Sequence, residues 1–198
     1  MVSFCKRVAR VSVMSVWFEK AGKQNTEEAL RIAYEAFKER GIPHVVVAST
    51  FGDTGLKACE IFEGEDVNLV VVTHNVGFRE PGRLELTPER RQELEDRGAK
   101  VYTGTMVFRN IGTAIRELQH YSQQDLIANT LRLFGQGIKV CVEIVLMACD
   151  AGLIPPEDVI AVAGTARGAD TVAIIKAMPS NKLFSLKVRE ILAKPRDW

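Results

Sequence analysis

The sequence predicts an α/β fold, a three-layer α/β/α sandwich built on a mostly parallel sheet. Three observations lead there. Short runs rich in Val and Ile alternate with longer segments of helical period. Within those runs successive positions are apolar, so both faces of each strand must be covered by helices. The chain has 198 residues, 46% hydrophobic and 26% charged, which suits one domain with a sizeable core.

Taken in order, residues 11–18 are β-branched and aromatic and read as the first strand. "NTEEALRIAYEAFKERG" reads as a helix, with Asn25 as N-cap and Glu28 completing a capping box. Gly41 and Pro43 end it. Residues 45–49 form a second strand, 54–62 a helix and 68–73 a third strand. A polar loop over 74–87 follows, in which Gly77 and Gly82 could hinge a lid. Pro88 suits the first turn of the next helix, and "AKVYTG" is a short strand. "MVFRNIGTAIRELQHY" turns helical in its second half, and Ser122 caps another helix. "GIKVCVEIVLMACDAG" is apolar nearly all round, which predicts a buried helix stopped by Gly152. Strands at 159–163 and 171–177 and an extended piece within 188–194 complete the chain.

Composition excludes several functions. Basic and acidic residues number 26 and 25, for a net charge of +1, which argues against a general nucleic-acid binder. Cys5, Cys59, Cys141 and Cys149 form no CxxC pair, and the last three sit in helical, apolar contexts, so buried thiols are expected there rather than disulfides or ligands. Three scattered histidines give no metal-site spacing, and no metal is expected. The first twenty residues carry a basic patch and an apolar run but no small-residue cleavage site, which argues against a secretory signal. The apolar run at 140–151 carries Glu143 and Asp150 and is too short to span a bilayer. A cytoplasmic protein without a membrane partner is expected, and homo-oligomerisation is left open.

In such sheets ligands sit beyond the carboxyl ends of the strands. The segments expected there are 20–26, 49–54, 73–78 and 164–170. The second, Ser49-Thr50-Phe51-Gly52-Asp53-Thr54, leads from strand to helix N-terminus, where free amides and the dipole attract an anion. Gly52 would let the backbone approach a phosphate, while Ser49, Thr50 and Thr54 could donate hydroxyl protons. Asp53 would repel an anion, so it is expected to point away or to bind a hydroxyl. The competing reading is a plain helix cap. No Gly-Lys-Ser/Thr ending makes this a P-loop. In 163–171, Gly164 and Gly168 bracket Arg167, whose fork of donors could grip a phosphate; a turn with a solvated arginine is the alternative. Thr73, Gly77 and Phe78 surround His74 after the third strand. Lys139, Glu143 and Asp150 fall on one stripe of the apolar helix, expected to be its wet edge. If Glu143 faces the sheet edge instead, it is the best general-base candidate, with His74 the other.

These segments together, "NTEEAL", "VVVASTFGDTGLKA", "VVVTHNVGF", "KVCVEIVLMACDAG" and "AVAGTARGADT", resemble the pyruvate kinase C-terminal-domain-like proteins, stand-alone chains of archaea and some bacteria. The resemblance spans 14–195, making 14–198 one domain, 1–13 an N-terminal extension and Met14 a second candidate start. It implies a largely parallel sheet with one antiparallel strand. It also implies a phosphate site on the Ser/Thr-rich loop at 49–54, although Asp53 stands where pyruvate kinase usually has a basic or small residue. Nothing corresponds to that enzyme's catalytic barrel, so pyruvate kinase activity is not expected. The leading expectation is a binding protein for a small phosphorylated ligand. Flavin mononucleotide (FMN) is the preferred ligand if Phe78 turns inward to carry a planar ring; a sugar phosphate is the alternative. The rival expectations are an enzyme acting on or with that ligand and a subunit acting through a protein partner.

Overall fold

Valines at successive positions set the architecture by alternating their side chains between two faces. In the computed structural model, which describes residues 15–198, Val45 and Val47 of one strand enter one core and Val46 enters the other. Leu69 and Val71 divide from Val70 and Val72 in the same way. The strands are β1 (Val16–Lys20), β2 (His44–Ala48), β3 (Asn68–Val72), β4 (Lys100–Tyr102), β5 (Asp158–Ala163), β6 (Thr171–Lys176) and β7 (Lys187–Asp197). They form one seven-stranded sheet in the order β1-β7-β6-β5-β2-β3-β4. Every neighbouring pair is parallel except those made by β6, which runs antiparallel to both β5 and β7.

Helices α1 (Thr26–Arg40), α2 (Asp53–Ile61) and α3 (Pro88–Asp96) contribute to the core on one face. On the other lies α6 (Gln136–Asp150), with α5 (Gln123–Arg132) packed outside it and α4 (Asn110–Gln119) beside α5. The α/β class and the mostly parallel sheet expected from the sequence are therefore present. Three local expectations need correction. Asn25 does stand at the N-cap of α1, but its side chain caps nothing; Nδ2 donates to the Lys20 carbonyl at 2.7 Å, and a 3-10 turn over Lys23–Asn25 leads into the helix. The first strand runs Val16–Lys20, and residues 11–14 of the expected strand, like the extension 1–13, lie outside the described residues. The stripe of α6 is not a wet edge, since Lys139 and Glu143 are buried and only Asp150 at the helix end is exposed. Among the described residues, no helix is long and apolar enough to cross a membrane.

The strand order places the site. From β2 the chain moves outward to β3 and β4, then returns to the other side of β2 as β5. Such a reversal separates the loops leaving two adjacent parallel strands and opens a crevice between them. Helix α6 forms the far wall because it can lie close to the sheet at Gly137. A methyl group on Gly137 would stand 2.0 Å from Thr171 Oγ1 and 2.5 Å from Thr171 Cβ. Alanine is the better helix former by about 1 kcal/mol, yet overpacking costs about 1–3 kcal/mol or more. Gly137→Ala is expected to lower the urea midpoint of unfolding; a raised midpoint would mean that α6 moves freely off β6.

Candidate functional site

The cleft at the carboxyl edge has a volume of about 930 Å³. Its floor begins with the β2–α2 connection, where the two competing readings of the sequence divide the residues between them. The Ser49 hydroxyl is buried and accepts the Gly55 amide at 3.1 Å, so it caps α2. Thr54 is buried and lines the cleft. Among the described residues, the amides of Asp53 and Thr54 have no protein acceptor, leaving two helix-terminal donors unclaimed. Lys57, one turn further on, also lines the cleft.

Gly52 does not serve as expected. It takes φ 92°, a left-handed conformation suited to glycine, but its missing side chain faces the protein, where a Cβ would stand 3.1 Å from Leu86 Cδ1 and 3.5 Å from Arg90 Cβ. It lies outside the cleft lining. Asp53 lines the cleft and is engaged by cations rather than by a hydroxyl: Arg167 Nη2 donates to it at 3.0 Å and Arg90 Nη1 lies at 3.5 Å. Arg167 is thus committed to Asp53 and to the Phe51 ring, 5.2 Å away, rather than free to grip an anion. Gly164 and Gly168 do line the cleft, yet both are required by packing. A Cβ on Gly164 would stand 2.4 Å from the Gly168 carbonyl oxygen, and one on Gly168 would stand 2.3 Å from Thr26 Oγ1.

Thr73 is buried at the cleft with its hydroxyl engaged by Thr103 at 2.7 Å and donating to the His74 carbonyl at 2.9 Å. Gly77 stays outside the lining, its amide bonded to the Arg83 carbonyl at 2.8 Å. Phe78 does turn to the cleft, stacked on His74 with ring centroids 3.7 Å apart and the Arg109 guanidinium 4.1 Å from its centroid. Thr50 Oγ1 lies 3.4 Å from His74 Nε2. Burial holds the His74 imidazole below the usual histidine range, against the pull of Glu85.

On the opposite wall Glu143 is buried and fully engaged. One carboxylate oxygen pairs with Lys139 Nζ, and the other accepts the Phe108 amide at 2.9 Å. Burial lowers the affinity of Lys139 for its proton, while Glu143 raises it. Asp170, which sequence reasoning left without a role, is completely buried at the rim. It accepts the amides of Gly22 at 2.9 Å and Thr165 at 3.2 Å and the Thr171 hydroxyl at 2.8 Å, tying the β1 and β5 loops together.

The lining holds eight Lys and Arg side chains against three Asp and Glu, in a chain of net charge +1. All three acids are already paired, Asp53 with Arg167, Asp125 with Arg116 and Glu143 with Lys139. Lys23, Lys57, Arg109 and Arg132 have no carboxylate partner among the described residues. Arg132 instead donates to Gln136 Oε1 at 2.7 Å and Asn129 Oδ1 at 2.6 Å. Lys57 was not singled out in sequence, although it is the first cation beyond the helix start; Arg109 and Arg132 carry no such signal, because only folding brings them to this cleft. Among the described residues, no three His, Cys, Asp or Glu side chains converge as a metal site requires. No protein-family model matches the chain.

The buried pair gives a direct test. Removing one partner leaves the other charged and unpaired, at a cost of about 3–5 kcal/mol. Glu143→Gln is expected to destabilise by roughly that amount in urea unfolding, and the double variant Lys139→Met/Glu143→Gln to recover much of it. A double variant no better than the single would show that the Phe108 contact, not the pairing, carries the effect.

Proposed function

We propose that this chain binds a small phosphorylated ligand in the cleft, with the phosphate at the N-terminus of α2. The observation that carries this reading is the surplus of unpaired cations around two unclaimed helix amides. The donors assigned to the phosphate are the Asp53 and Thr54 amides and Lys57, with the Thr54 hydroxyl beside them; Gly52 and Arg167 are not among them. The volume of about 930 Å³ suits a ligand of mononucleotide size. The Phe78–His74 stack favours one with a planar ring, and FMN meets both requirements better than a sugar phosphate, which gains little from an aromatic shelf.

We also propose kinship with the pyruvate kinase C-terminal-domain-like proteins. The single antiparallel strand in an otherwise parallel sheet supports it, as does the position of the 49–54 loop at the reversal of strand order. A second reading, an enzyme acting on or with the ligand, is favoured by one feature, the His74 imidazole on the cleft wall, which burial holds below the usual histidine range. Glu143 supports that reading less, because both of its oxygens are occupied.

Titration of the purified protein with FMN and, separately, riboflavin, followed by flavin fluorescence, tests the ligand. FMN is expected to bind at least about tenfold more tightly, the equivalent of a 1.4 kcal/mol contact to the phosphate. Lys57→Glu, on the exposed side of α2, is expected to weaken FMN by about tenfold and to leave riboflavin unchanged. Equal binding of both flavins, or of neither, would defeat FMN as the ligand.

A further inference from the structure

Among the described residues, five buried side-chain polar atoms lack any hydrogen-bond partner, and three of them lie in one cluster. They are His74 Nδ1 and both carboxylate oxygens of Glu85. Glu85 Oε1 lies 3.9 Å from His74 Nδ1 and 3.5 Å from Arg79 Nε, with the Glu85 side chain only 9% exposed. A buried polar group is normally paired, so a cluster of unpaired ones calls for an explanation. Glu85 is an acceptor, and the facing nitrogen of a neutral imidazole satisfies it only by carrying the proton. That tautomer leaves Nε2 as the acceptor for Thr50 Oγ1, 3.4 Å away. The Thr50 proton is then committed to His74, while the threonine lines the cleft. Stacking on Phe78 holds the ring plane.

We propose that Glu85, His74 and Thr50 form a proton relay that makes the Thr50 hydroxyl a nucleophile toward the phosphoryl group of a ligand in the cleft. The proposal rests on the cleft being the phosphate site, and adds to it a nucleophile, a base and a residue that positions the base. The spacings are looser than in a working relay, as is common before a substrate closes the site. In the step, Thr50 Oγ1 forms a bond to phosphorus while the bond from phosphorus to the leaving oxygen breaks. The hydroxyl proton passes to His74 Nε2 and then to the leaving oxygen. Water, deprotonated by the same nitrogen, then forms a bond to phosphorus while the Thr50 Oγ1–phosphorus bond breaks; phosphate leaves and the proton on Nε2 returns to Thr50 Oγ1. The unclaimed amides of Asp53 and Thr54 are placed to bear the negative charge of the phosphoryl oxygens.

A fluorophosphonate reporter tests this without knowledge of the natural substrate, since attack forms the Thr50 oxygen–phosphorus bond, expels fluoride and passes the proton to His74. Peptide mass spectrometry is expected to find the adduct on Thr50. Thr50→Ser should keep labelling, whereas Thr50→Ala and His74→Gln should lose it by about a hundredfold or more. The groups acting on His74 are Glu85 and Glu143, which raise its affinity for a proton, and Arg109 and Arg79, which with burial lower it. The labelling rate is therefore expected to rise with pH to a plateau, its midpoint below 6.5, the ordinary histidine value. Glu85→Gln should slow labelling by at least about tenfold and move that midpoint lower still, which a purely structural role would not do. Thermal melts check that each variant is folded. A wild-type protein that binds FMN yet carries no adduct on Thr50 would overturn the relay and spare the ligand reading. Labelling at Thr50 without affinity for FMN or inorganic phosphate would do the reverse. An unchanged rate in folded His74→Gln would remove His74 as the base.

Discussion

The reversal of strand order between β2 and β5 is the constraint on which the rest depends. Both strands are parallel and buried on both faces, so the chain leaves each at the same edge and must turn away to opposite sides. The loops that diverge there cannot cover the strand ends between them. A crevice follows from connectivity alone, before any side chain is chosen. Gly137 lets α6 lie close enough to the sheet to form its far wall, and Asp170 holds the loops at its rim.

Within that crevice, electrostatics are shaped by which charges are already matched. Counting cations alone would credit Arg167, Arg116, Lys139 and Arg79 to a ligand, yet the first three each have a carboxylate within the lining and Arg79 has Glu85 behind it. What remains is spread over four elements and loops: Lys23 before α1, Lys57 on α2, Arg109 before α4 and Arg132 on α5. Lys23, Lys57 and Arg109 are exposed and Arg132 is half-buried, so an anion bound among them would be drawn by several solvent-screened charges acting together rather than by one strong one. Burial holds the His74 imidazole below the usual histidine range, and the Glu85 carboxylate oxygens near it have no hydrogen-bond partner among the described residues.

Two glycines show how a residue at a candidate ligand edge can also be required by packing and backbone conformation. Gly52 and Gly168 both stand in turns beyond strands where a ligand is expected. Gly52 takes φ 92° with Leu86 Cδ1 3.1 Å from where a Cβ would stand, and Gly168 takes φ 76° with Thr26 Oγ1 only 2.3 Å from that position. Similarly, the Asn25 capping box is consistent as a sequence pattern, but Lys20 offers its carbonyl to the asparagine first.

The sequence by itself determined the class of fold, the succession of strands and helices, the burial of α6 and the edge at which the cleft opens. Those follow from local properties: the two-residue alternation of strands, the helical spacing of apolar residues, and turn residues such as Ser122 and Gly41 that act on their nearest neighbours. Tertiary structure alone decided the partner and burial of each polar side chain at that edge. Ser49 could cap or donate, Asp53 could face the cleft or an arginine, and Glu143 could be solvated or buried. Each choice depended on a partner distant in sequence, such as Arg167 for Asp53 and Phe108 for Glu143. Hydrogen bonds and ion pairs are short-ranged and directional, so their pairing is undefined until the backbone has brought the partners together.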